Sequence, residues 1–162
     1  MKQKSKTSEF VRAIIAGDIS QVKELHQAGA SVKEVDQFGW LPIHRAAAND
    51  RDEIIRLLVE WGSPLEATGT ENWTPLHLGC VSGSARAVVG LVEAGADVNP
   101  RSVYGQTPLH LAITGENPKS VRCLLRAGAK VGARDDDGRT PLDVAREQKK
   151  ANLQMILEKV ED

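Results

Sequence analysis

Leu41–Ala47 reads LPIHRAA, and the stretch returns three times, as TPLHLGC from Thr74, TPLHLAI from Thr107 and TPLDVAR from Thr140. The prolines of the four copies, Pro42, Pro75, Pro108 and Pro141, are 33 residues apart each time. A second series keeps the same beat: AGA at Ala28, WGS at Trp61, AGA at Ala94 and AGA at Ala127, with Gly29, Gly62, Gly95 and Gly128 again 33 apart. Two independent series in one register, with no insertion between copies, mark an array of one repeated unit.

Local chemistry says what the unit is. Proline is tolerated in the first turn of a helix, where its missing N–H would be unpaired anyway, so each Thr-Pro opens a helix. Apolar residues at three-and-four spacing (Ile54, Ile55, Leu57, Leu58; Val88, Val89, Leu91, Val92; Val121, Leu124, Leu125) give a second helix per unit. The glycines end those helices, because a C-cap takes the left-handed conformation. Asp18 with Gln21 as a capping box, Ser84, and Asn117 before Pro118 mark further helix starts. One helix pair cannot bury its own apolar face, so stability comes from stacking neighbours. The fold class is all-α, a solenoid of helix-turn-helix units.

These motifs resemble the ankyrin-repeat family, whose signature is T-P-L-H-x-A on a 33-residue unit. The resemblance covers nearly the whole chain from about Thr7 and implies antiparallel helix pairs with a β-turn finger projecting from each. A single domain spans 7–162 after a frayed tail at 1–6, in repeats of about 7–35, 36–68, 69–101, 102–134 and 135–162. The first unit lacks the Thr-Pro start, and the last has Asp143 in place of the histidine, so both read as caps. Leu153, Met155, Ile156 and Leu157 before the polar EKVED read as the end of a complete solenoid. Asn72 stands where Gly39, Gly105 and Gly138 serve the finger turn, and asparagine tolerates positive φ. TGENPKS carries its glycine one place early, at Gly115, which predicts a reshaped loop.

Composition excludes several function classes. Hydrophobic residues are 41% and charged residues 27% of the 162-residue chain, enough for a core. Lys plus Arg (21) nearly cancels Asp plus Glu (22), so nothing draws the whole chain to nucleic acid or a membrane surface. Its cations read as scattered among acids. No run of about 18–20 apolar residues could span a bilayer, and MKQKSKTSEF is no secretory signal. Cys80 and Cys123 read as buried, inert thiols in a reducing compartment; the expected address is the cytoplasm, with the nucleus second.

No cofactor, metal or catalytic centre is expected. His44, His77 and His110 sit one per unit, and helices pack about 8–10 Å apart, too far for three rings to share a zinc. The resemblance implies instead that each ring bonds backbone and ties adjacent fingers. No nucleophile–base or phosphate-loop motif occurs, and the acidic run Asp135, Asp136 and Asp137 reads as solvated charge at a finger tip.

The expected activity is binding of another protein, as a folded surface or an extended segment, by a monomer. Four of the six aromatics, Phe38, Trp40, Trp73 and Tyr104, flank finger turns, and Trp and Tyr dominate binding hot spots. Their alternative role is to fold back and stiffen the array. The resemblance places Arg45, Asn49, Glu71, Ser82, Asp137 and Arg139 around them on the concave face. Asn99, in LVEAGADVN, is similar in context to ankyrin asparagines that are hydroxylated; its plainer role is to bond the turn. The layout is also similar to that of cell-cycle kinase inhibitors, and a self-associating scaffold is a third reading.

Overall fold

In a computed structural model, residues 2–161 are described, with side chains from Thr7 to Val160. They form α1 (Lys2–Ala16), α2 (Ile19–Gln27), α3 (Pro42–Ala48), α4 (Asp52–Glu60), α5 (Pro75–Val81), α6 (Ala85–Glu93), α7 (Pro108–Thr114), α8 (Pro118–Arg126), α9 (Pro141–Glu147) and α10 (Ala151–Glu161), with no strand among the described residues. The helical backbone begins at Lys2, inside the stretch expected to fray; Met1 and the side chains of 2–6 lie outside the description.

Odd-numbered helices stack on one another in one layer and even-numbered helices in a second. The repeat makes the core a ladder. Ile43, Leu76, Leu109 and Leu142 form one buried rung series, and Leu58, Leu91, Leu124 and Leu157 another. Each such side chain contributes about 1.5–3 kcal/mol on leaving water. Phe10 and Ile14 of α1 close the N-terminal end of this core. No described helix is long and apolar enough to cross a membrane.

The fingers hang from the first helices through buried imidazoles. His77 Nδ1 accepts from the Thr74 N–H at 3.1 Å, and its Nε2–H donates to Gln106 O in the next finger at 3.2 Å. His110 repeats the bridge from Thr107 (3.1 Å) to Arg139 O (3.0 Å). His44 Nε2 serves Ala67 O (3.0 Å) and Trp73 O (3.2 Å), but Leu41 has no hydroxyl for the ring, and its buried Nδ1 has no partner. In the last unit Asp143 accepts from the Thr140 N–H and hydroxyl at 2.9 and 2.7 Å. It keeps the bond within the turn and omits the reach to a further finger.

Three details depart from the sequence reading. Asp18 accepts from the Gln21 N–H, but the return bond of a capping box does not form. Ser84 stands at the N-cap of α6, where the sequence puts the helix start, but its hydroxyl donates to Ala48 O, and Asp50 of the preceding unit accepts from the Ala87 N–H at 2.9 Å instead. The loop at Gly115 keeps the shape of its counterparts. The left-handed residue there is Glu116 (φ 53°), in register with Asp50, Gly83 and Lys149, while Gly115 itself is right-handed. Glycine is needed at 115 for close approach: a Cβ would lie 2.1 Å from Cys80 O. Cys80 is buried and Cys123 only half-buried, and burial raises both thiols above their ordinary range.

Gly115→Ala is expected to cost about 1–3 kcal/mol in urea denaturation, because its obstacle is backbone. Gly132→Ala, with open space around the new methyl, is expected to stay within about 0.5 kcal/mol of the parent. A pH series tests the imidazole bridges. Burial pushes His44 and His77 down to about 4 against the opposing pull of their carbonyl partners, and lowers His110 likewise. The unfolded rings titrate near ~6.5, so their contribution is complete above that pH and is lost as pH falls toward 4. Stability should fall by about 2 kcal/mol or more between pH 7 and pH 5, and His77→Asn should flatten that slope.

Candidate binding surface of the fingers

Each finger is a five-residue turn closed by backbone: Asp36 N–H to Trp40 O (2.9 Å), Gly69 to Trp73 (3.0 Å), Ser102 to Gln106 (2.9 Å) and Asp135 to Arg139 (2.9 Å). In three of them the first side chain braces the turn from inside. Asp36 Oδ1 accepts from the Phe38 and Trp40 N–H groups (2.8 and 3.1 Å), Ser102 Oγ from Tyr104 and Gln106, and Asp135 Oδ1 from Asp137 and Arg139. Arginines clamp the two acids: Arg45 on Asp36 at 2.7 Å and Arg139 on Asp135 at 2.9 Å. Burial alone would raise both carboxyls; the guanidinium and the N–H donors outweigh it and hold them below the usual range. Asp135 is therefore a buried brace, a correction to its reading as solvated charge, whereas Asp136 and Asp137 are exposed.

The second finger is built differently. Gly69 has no side chain to brace it, and the space is taken by Trp40: a Cβ at 69 would lie 2.3 Å from its indole. Trp40 also packs against the His44 ring at 5.1 Å between centroids. Glu71 and Asn72 at the turn both have positive φ (60° and 59°), an arrangement that suits glycine and asparagine and strains glutamate. Asn72 takes the conformation expected of it, while nothing in the sequence marked Glu71 for it.

The four finger aromatics divide into two pairs. Phe38 is 62% exposed and Tyr104 55% exposed. Trp40 and Trp73 are half-buried; Trp73 packs against the core, with its indole N–H buried and unpartnered. Phe38, Glu71, Tyr104 and Asp137 occupy the same place in successive fingers, 33 residues apart, and all four are exposed. Val103, 55% exposed beside Tyr104, belongs to this row as well and is a residue that sequence reasoning missed. Backbone bonds tie the last three fingers together: Val103 N–H donates to Glu71 O (3.0 Å) and Asp136 N–H to Tyr104 O (3.1 Å).

Arg45 lies 5.3 Å from the Phe38 ring centre while bonded to Asp36, so it stiffens the first finger. Arg139 is shared among Asp135, Asp137 and Glu147. Asn49 bonds back to Arg45 O within its own helix end, and Ser82 is exposed at the end of α5. Asn99 sits in the turn between units, its amide donating to Gly128 O (3.2 Å) and accepting from the Lys130 N–H (2.9 Å). Trp61 stacks on His26 at 3.9 Å, away from the fingers' row. Among the described residues no group of three or more His, Cys, Asp or Glu side chains could hold a metal ion.

Residues 10–102 match the family described as ankyrin repeats (3 copies), and residues 91–145 that described as ankyrin repeats (many copies). The chain belongs to the ankyrin-repeat family, whose repeats generally mediate protein–protein interactions. Among individual proteins it is similar to the ankyrin repeat, SAM and basic leucine zipper domain-containing protein 1 of Nomascus leucogenys and of Mustela putorius furo, each 38% identical over 58 residues. The Colobus guereza protein of that description is 36% identical over the same length. These matches cover 36% of this chain and only 12% of each relative.

Trp40 and Gly69 form one contact, which a double-mutant cycle can isolate. Gly69→Ala is expected to destabilise the parent by about 1–3 kcal/mol and to cost clearly less in a Trp40→Ala background, where the methyl group finds space.

Proposed function

We propose that the protein is a non-catalytic interaction module that holds a partner protein along its finger row and the adjoining ends of the first helices. The observation that carries this reading is the exposure of Phe38 and Tyr104 at matching places on the first and third fingers, with Val103 beside Tyr104. Exposed rings gathered on one ridge are the usual anchors of a protein interface. Glu71 and Asp137 alternate with them along the row, and Arg45 and Arg139 brace the first and fourth fingers beside it. In this reading Asn49 and Ser82, at the ends of α3 and α5, extend the polar rim around the apolar anchors. The braced fingers are preorganised, so little ordering entropy opposes association. Trp40 and Trp73 serve in this reading as supports beneath the row.

The division between anchors and supports is testable. Lysate captured on the wild-type protein should contain a species that a Phe38→Ala/Tyr104→Ala variant, shown folded by circular dichroism, does not retain. With that species purified, the double variant should bind at least about 2 kcal/mol more weakly. Equal affinity of the folded double variant would count against the finger row as the site. Light scattering over a concentration series distinguishes it from a self-associating scaffold, whose mass would rise with concentration.

A further inference from the structure

From Asn117 to Arg134 the chain carries five cations, Lys119, Arg122, Arg126, Lys130 and Arg134, and no acid, although its net charge is −1. Three of them share one face of α8. Lys119, Arg122 and Arg126 follow a three-then-four spacing, all are exposed, and Val121 and Leu124 on the opposite side are buried. None of the three takes part in an ion pair among the described residues, whereas Arg56 and Arg86 on the neighbouring second helices are held by Asp52 and Asp50. The corresponding row is Glu53, Arg56 and Glu60 on α4, Arg86, Val89 and Glu93 on α6, and Asn152, Met155 and Lys159 on α10. Only α8 presents three cations. Like charges so placed repel one another, a cost that an opposite charge removes.

At its start this face opens onto a concavity of about 610 Å³ lined by Arg86, Lys119, Arg122 and Asn152, with Asp50 and Glu116 on the same wall. Both acids are engaged, Asp50 with Arg86 and Glu116 with Lys150. Met155, 57% exposed on α10, stands in register with Arg122 and adds an apolar contact beside the charged row.

We infer that the outward face of α8 is a second binding surface, separate from the fingers, that takes an acidic extended segment of a partner protein. Lys119 to Arg126 spans about 10 Å along the helix at ~1.5 Å per residue. An extended chain covers that in about three residues, so three closely spaced carboxylates with an apolar neighbour complement the row. The row is one helix wide. Glu93 on α6 lies in register with Arg126, and Glu53 and Glu60 lie a further helix away, so a bilayer or a duplex laid across the face would meet acids. A single strand of chain lying along α8 avoids them.

The probe is a fluorescein-labelled octapeptide with glutamate at alternate positions and one central leucine, titrated with the whole chain at low salt. Binding should weaken at least about tenfold in Lys119→Glu/Arg122→Glu/Arg126→Glu. It should be unchanged in Phe38→Ala/Tyr104→Ala, which separates this surface from the finger reading. Arg12→Glu/Lys23→Glu/Lys33→Glu makes the same change in net charge on exposed residues of the first unit and should leave affinity within about twofold. Should the α8 reversal fail to fold, the corresponding triple glutamine variant gives a smaller loss in the same direction. Absence of binding, equal loss in the first-unit variant, or tighter capture of phosphatidylserine vesicles or duplex DNA through the same three cations would overturn the proposal.

Discussion

The array depends on one buried interaction, the imidazole that spans a helix start and the following finger. A neutral ring has one nitrogen that accepts and one that donates, and two of the three units use both. His77 and His110 accept within their own turn and donate forward, to Gln106 O and Arg139 O. The bridge links neighbours only, so rigidity passes along the chain unit by unit. It also forces the rings to stay neutral, since a protonated Nδ1 could no longer accept. Asp143 shows one half of the logic alone, the bond within its own turn, since a carboxylate has no N–H with which to donate forward.

The second finger shows what happens when one support is exchanged for another. An acid or serine at its first position would brace the turn, as Asp36, Ser102 and Asp135 do elsewhere. Gly69 gives that up and seats the Trp40 indole, which therefore works as packing between the first and second fingers. The rings left on the outside are Phe38 and Tyr104, on either side of a turn that holds Glu71 in a left-handed conformation. Support and exposure are thus divided among residues of the same chemical type.

Much of the fold was legible because a 33-residue beat repeats each signal. Thr-Pro starts and glycine ends sit at fixed offsets, and Gly29, Gly62, Gly95 and Gly128 all take the positive φ their positions require. The histidines, too, bond backbone across units as the resemblance implied. The candidate surface was less legible. Finger aromatics were visible, but nothing local separates Trp40 from Phe38, two residues apart, since one meets Gly69 from the next unit and the other meets water. Ser84 marks the start of α6 as read, yet the side chain that accepts from the first turn is that of Asp50, 37 residues from Ala87. Gly115 reads as a displaced turn glycine, and its reason is Cys80 O in the preceding unit. The cations of α8 read as scattered until the helix put three on one face.

The sequence by itself therefore determined the period, the helix pairs and the apolar faces of the second helices, because these follow from spacing and from short-range backbone chemistry, while the imidazole bridges were what the resemblance implied. The tertiary structure decided which of two similar rings is covered, which acid braces a turn, and which glycine is needed for close approach. Those outcomes depend on atoms supplied by the neighbouring unit. Spacing along one chain sets which face a residue is on, and only the packed neighbour sets how much of that face remains open to water.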